Sequence, residues 1–167
     1  SPSNSRLTTV YDTWMGPSRY SGFPYYGGNY LGSNANYYIR VDVGKRKFLV
    51  LGLEFIPRDA ALTWAQGVLD ANTDREAIIV THGLITQWGE KAQDTSIATG
   101  GYGLTGNNGT ELWNNLIRKN KQIIMTINGH YVGCCGGSAV VNNNNLGPFM
   151  EQRFTQTGDN GNIIHML

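Results

Sequence analysis

The sequence predicts an α/β fold, a sandwich built on a mixed β-sheet. Three observations point there. Residues 36–43 and 47–55 read as two strands joined by a tight turn at Gly44, Lys45 and Arg46. Two short apolar runs, "AIIVTHG" (77–83) and "QIIMTING" (122–129), each follow a segment with helical spacing. The resulting order of hairpin, helix, strand, helix, strand, hairpin is that of a sheet whose interior strands are linked through helices.

Each element has its own reason. The first thirty or so residues, through "GPSRYSGFPYYGGNY", are punctuated by Gly and Pro and rich in Tyr, and they read as a long loop with little regular structure. In the hairpin, "NYYIRVDV" alternates, whereas "KFLVLGLEF" is nearly continuous in apolar residues and belongs in the sheet interior. The helix over 59–72 places Leu62, Trp64, Ala65, Val68 and Leu69 at helical spacing, with Asp59 as its N-cap. A glycine-rich stretch, 84–107, is too long for a simple connection and reads as a functional loop. The helix over 109–120 is announced by Asn108 and Glu111, a capping pair. Two strands, 149–156 and 162–167, close the chain; the Asn tract at 142–145 before them reads as a turn.

Composition bounds the function. The 167 residues suit one domain with its own core, and an apolar fraction of 40% is that of a globular chain. A net charge of +1 without any basic block argues against nucleic acid or an anionic membrane as partner. No run approaches the ~20 apolar residues of a membrane span. Charged residues make up only 15%, against a typical ~25%. With 22 Gly and 17 Asn in their place, the chain suits an extracellular protein better than a cytosolic one. The start, SPSNSRLTTV, has no leader pattern, so a secreted protein would have lost its leader or carry it upstream. Asn108-Gly109-Thr110 is a glycosylation sequon, usable only if Asn108 is exposed; the capping role competes with it. Cys134 and Cys135 are adjacent, which excludes a structural zinc site of the usual spacing. They are either two small residues in a glycine-rich turn or form a disulfide to another chain or to a missing segment.

The chemistry gathers at two strand ends. "IIVTHG" and "IIMTINGH" each deliver a histidine, His82 and His130, where an interior strand leaves the sheet. Ligand sites of α/β sheets assemble at the carboxyl ends of strands. A neutral imidazole there can bind a metal while a neighbour orients its other nitrogen, for which Thr81 and Asn128 are placed. His165, the third histidine, sits mid-strand and reads as structural. Glu54, at the end of a buried strand, reads as a cap or ion-pair partner that could enter a site. There is no nucleophile elbow or P-loop, and "GGYGLTG" (100–106) has no strand before it, so it does not read as a phosphate loop.

The stretches "LGLEFIPRDAALTWAQGVLDANTDREAIIVTHGLI" and "GNNGTELWNNLIRKNKQIIMTINGH" resemble the calcineurin-like metallophosphoesterase superfamily, in particular its secreted bacterial members. "GPSRYSGFPYYGGNY" is similar to the stretch after the GNHD/E motif in those proteins, and "QRFTQTGDNGNIIHML" to their closing strand pair. The resemblance implies an αββα sandwich, of which residues 1–167 would be the C-terminal portion of a single domain. It implies a binuclear phosphoric-ester hydrolase with two divalent metals (Fe, Mn or Zn) and a bridging hydroxide that attacks phosphorus in line. His82 matches the lone histidine after a strand and His130 the first histidine of GH-x-H, both on one metal. The sequence departs from the pattern at Val132, where the second histidine of that motif would stand, and D-x-H, G-D and GNHD/E are absent ahead of these stretches, where the pattern puts them. At most one partial metal site is therefore expected in this segment. Its partner would be a missing N-terminal half or another copy of the chain, as in a homo-oligomer or filament. A different expectation is a catalytically silent structural or self-assembling protein that keeps the fold. A third is a sugar- or peptide-binding module using the Tyr/Trp-rich stretch at 11–38.

Overall fold

The structure, a computed structural model, describes residues 6–86, 90–92, 104–129 and 153–167. Its strands are β1 (Tyr26–Tyr30), β2 (Ser33–Val43), β3 (Arg46–Gly52), β4 (Glu76–Val80), β5 (Ile123–Ile127), β6 (Phe154–Thr157) and β7 (Ile163–Met166). All seven form one mixed sheet in the order β1-β2-β3-β4-β5-β7-β6. Strands β3, β4, β5 and β7 are mutually parallel; β2 pairs antiparallel with β3 and β1 with β2 on one side, and β6 pairs antiparallel with β7 on the other. The α/β class and the mixed sheet expected from the sequence are thus present.

The hairpin closes where the sequence places it, Val43 pairing with Arg46 across Gly44 and Lys45. Gly44 takes φ 61°, a left-handed conformation that a β-carbon would disfavour. Asp42, Lys47 and Arg46 near this turn pair with Arg75, Asp74 and Glu76 around the start of β4. These are exposed pairs worth little individually.

One face of the parallel strands is covered by helices. Helix α3 (Asp59–Asp70) links β3 to β4, and α4 (Gly109–Leu112), running on as a π-helical stretch Trp113–Ile117, links β4 to β5. Leu62, Ala65 and Leu69 of α3 pack with Leu112, Leu116 and Ile117 onto Leu49, Leu51, Ile79 and Ile164 in one core. Helix α3 is joined to the turn that follows the π-helical stretch by a reciprocal amide pair, Gln66 and Asn120, with both hydrogen bonds 2.9 Å long. Asn108 caps α4 as expected: its Oδ1 accepts from Glu111 N at 2.9 Å, and Glu111 Oε2 accepts from Asn108 N at 2.8 Å. Asn108 is buried in this cap, an environment for a capping amide rather than for a glycan. Asp59 is not the N-cap of α3. The cap position is Arg58, and Asp59, the first helical residue, accepts a 2.8 Å hydrogen bond from Asn107 instead.

The opposite face is only half covered. Val50, Ile78, Val80 and Met125 are half-buried there, and Ile127 and Ile163 are 40% and 60% exposed. No described helix packs on this part of the sheet; at its β1–β2 end it is met by α1 (Thr9–Met15) and α2 (Pro17–Tyr20).

Those two helices and β1 correct the expectation of a long loop. Pro17 at the first position of α2 has no N–H to lose. Strand β1 forms despite Gly27 and Gly28 because the glycines let Tyr38 lie against it; a β-carbon on Gly27 would fall 2.0 Å from the Tyr38 ring. His165 lies in β7 opposite Met125 and Thr155, as a strand residue. His130, Val132, Cys134, Cys135 and the 142–145 tract lie outside the described residues, as do most of the glycine-rich stretch and the start of the 149–156 strand.

Candidate functional site

Because β3, β4, β5 and β7 are parallel, their carboxyl ends share one edge, and backbone pairing continues beyond the strands. Leu53 N donates to Val80 O at 2.8 Å, Thr81 N to Ile127 O at 3.0 Å, Gly129 N to His82 O at 3.1 Å and Asn128 N to Leu167 O at 2.8 Å. The segments bearing Glu54, His82 and Asn128 are therefore held side by side.

A cavity of about 410 Å³ opens at this edge. Glu54, Phe55, Thr81 and His82 line it from the strand ends, and Arg6, Tyr11 and Tyr37 from the other side. Its wall is mostly apolar with a few polar groups, the usual make-up of a ligand pocket.

His82 is exposed on the rim. Its ring meets Phe55 edge-on with centroids 5.2 Å apart. A β-carbon on Gly129 would lie 3.3 Å from His82 Nδ1, so the imidazole passes directly against the end of β5. Described structure stops at Gly129, the residue before His130. Of the two orienting candidates, Thr81 is buried and lines the cavity. Asn128 donates from Nδ2 to Gly129 O at 3.3 Å, and its buried Oδ1 has no hydrogen-bond partner among the described residues.

Glu54 is held as an ion-pair partner. Arg58 Nε and Nη2 donate to its two carboxylate oxygens at 2.8 and 3.1 Å, Arg58 N donates to Oε1 at 3.1 Å, and Arg6 Nη1 lies 3.5 Å away. Burial acts to raise the Glu54 carboxyl, but the Arg58 hydrogen bonds and the Arg6 charge outweigh it, leaving the pKa below the ordinary carboxylate value. A lowered folded-state pKa gives stability that is complete above the unfolded value of about 4.3 and lost as pH falls through the lower folded value. The melting temperature of wild type should therefore exceed that of Glu54→Gln by a constant margin above about pH 5, shrinking in more acidic solution. A margin that widens on acidification contradicts this role.

Arg6 is a residue of this edge that the sequence did not flag. Its guanidinium donates to Phe55 O at 3.0 Å, Ile56 O at 2.7 Å and Thr105 O at 2.6 Å, tying three segments at the cavity mouth. No local motif marks such a residue, since its partners are 49 to 99 positions away.

Among the described residues, no three His, Cys, Asp or Glu side chains group in a way that could hold a metal, and no helix is long and apolar enough to cross a membrane. Fold and edge together define an α/β protein with a cavity at the carboxyl ends of its parallel strands. Comparison of the chain with family models, curated proteins and solved structures gave no match in any of the three.

Proposed function

We propose that this chain belongs to a metal-dependent phosphoester hydrolase, of which residues 1–167 are the carboxyl-terminal portion of the domain, with His82 and His130 as ligands to one divalent metal. The observation that carries the reading is the placement of His82. It lies at the carboxyl end of an interior strand, on a cavity of about 410 Å³, against the Gly129 that precedes His130.

The half-covered sheet face supports the sandwich form of the fold. Val50, Ile78, Val80 and Met125 are apolar on that face although the opposite one already carries the helices. Strands apolar on both sides belong between two layers, and a second sheet is the layer the αββα arrangement supplies.

The described residues do not by themselves fit a two-metal centre. His82 is the one imidazole they bring to the edge, and both oxygens of Glu54 are taken by Arg58. No catalytic step is therefore assigned through the metals. The silent, self-assembling reading keeps its footing on Val132, which occupies the place of a second ligand.

The test is to load the chain with Mn²⁺ or Zn²⁺, desalt it, and measure retained metal together with hydrolysis of bis(4-nitrophenyl) phosphate. Retained metal that EDTA strips is the expected result, and a chain that retains none contradicts the metal reading. Turnover distinguishes the hydrolase from the silent form.

A further inference from the structure

A second cavity, of about 220 Å³, lies between α1–α2 and the β1–β2 end of the sheet and adjoins the first, sharing Tyr11, Asn34 and Tyr37 with it. Five tyrosines line it: Tyr11, Tyr20, Tyr25, Tyr26 and Tyr37. At ~30 Å³ per water-sized group it holds on the order of seven non-hydrogen atoms. The rings of Tyr20 and Tyr26 stack with centroids 6.2 Å apart and form one wall.

The polarity of this cavity is one-sided. Tyr11 donates its hydroxyl proton to Asn34 O at 3.3 Å, Tyr26 to Asn34 Oδ1 at 2.5 Å and Tyr20 to Met15 Sδ at 3.4 Å. Asn34 is itself buried, and its Nδ2 is committed to Met15 O at 2.7 Å. Three of the five hydroxyl protons are thus committed within the protein, and the Tyr26 oxygen also accepts from Asn29 Nδ2 at 3.0 Å, so ring faces and the remaining phenol oxygens are what the cavity offers a ligand. No Lys or Arg is among the lining residues. Burial first, then the neighbouring phenols and Asp12, push the Tyr11 hydroxyl above its ordinary pKa. Such a lining holds no cationic group to pair with an anion and suits a positive charge over aromatic faces.

We propose that this tyrosine-lined cavity binds a small organic cation of the alkylammonium class. The occupant is recognised by ring faces and phenol oxygens, and its size is that of choline. The mouth is open, Tyr11 and Tyr25 being 42% and 38% exposed, so affinity is in the millimolar range.

The experiment is a titration of the intact chain with choline, followed by the tyrosine ring resonances, beside its uncharged carbon isostere 3,3-dimethylbutan-1-ol and beside glucose. Choline should saturate, with the isostere at least about tenfold weaker. Tyr20→Leu should weaken choline at least about tenfold, while Tyr20→Phe, which keeps the ring, stays within about threefold of wild type. Tyr20 is partly exposed, and an unchanged circular dichroism spectrum verifies the fold of both variants. Equal binding of the isostere, preference for glucose, indifference to Tyr20→Leu, or absence of saturable choline binding would each overturn the assignment.

Discussion

Gly109→Ala is expected to destabilise the protein at least as much as ordinary overpacking does, by about 1–3 kcal/mol or more, read as a lowered midpoint in urea. The amino-terminal turn of α4 is pressed against the segment that comes after His82. Gly109 N donates to Ala92 O and Ala92 N to Leu84 O, each at 2.9 Å, so three backbone segments are stitched together at Gly109. A β-carbon there would lie 2.1 Å from Leu84 O and 2.7 Å from Ala92 N. These obstacles are backbone atoms, so no side-chain rotation relieves them. Either α4 withdraws from the core that Leu112, Leu116 and Ile117 help to fill, or the 84–92 segment moves and loosens the His82 end of β4. A control substitution at Gly67, where a β-carbon meets nothing within 4 Å, should instead be neutral or stabilising. If Gly109→Ala matched the Gly67→Ala control, the packing of α4 against the loop would be misassigned.

The second large effect concerns the carboxyl edge. His82→Ala is expected to weaken Zn²⁺ or Mn²⁺ binding by at least about 100-fold, since losing a ligand costs more than the 10–100-fold that outer-shell changes cost. Stability should barely move, because His82 is exposed and its backbone bond to Gly129 does not depend on the side chain. His130→Ala should have a similar effect, and the double substitution should add little to either. Two ligands of one metal fail together, whereas independent sites add. Full additivity of the two losses would place the histidines in separate sites. Unchanged metal content in the double variant would remove both from the ligand set.

Local chemistry was the legible part of this sequence. The hairpin at Gly44, the Asn108–Glu111 capping box and the helix-then-strand repetition leading to β4 and β5 each rest on residues within a few positions of one another. The expectation for 59–72 was right about the helix and wrong about its start. Asp59 looks like a cap in isolation, but Asn107, 48 residues away, claims its carboxylate. The amino-terminal region failed for the same reason. Glycines that read as loop are there to admit the Tyr38 ring, and α1 is fastened by Asp12, which accepts from Ser33 at 2.9 Å as well as from Thr8.

The site was legible only as two strand ends. His82 and Thr81 do line a cavity at the shared edge, and Asn128 is adjacent. The rest of that wall could not be read because it is assembled from distant segments: Arg6 bridges to Thr105, and Tyr11 and Tyr37 come from α1 and β2. Glu54 shows the limit most clearly. Its place after a buried strand fits either a ligand or an ion-pair partner, and only the positions of Arg58 and Arg6 decide for the pair.

The most direct measurement of the central claim is anomalous X-ray scattering from crystals of the chain grown with Zn²⁺ or Mn²⁺. A peak is expected at the carboxyl edge of β4 and β5, about 2.0–2.1 Å from an imidazole nitrogen of His82 for zinc, with His130 as a second ligand. A metal-saturated crystal with its peak elsewhere, or with His82 not coordinated, would contradict it.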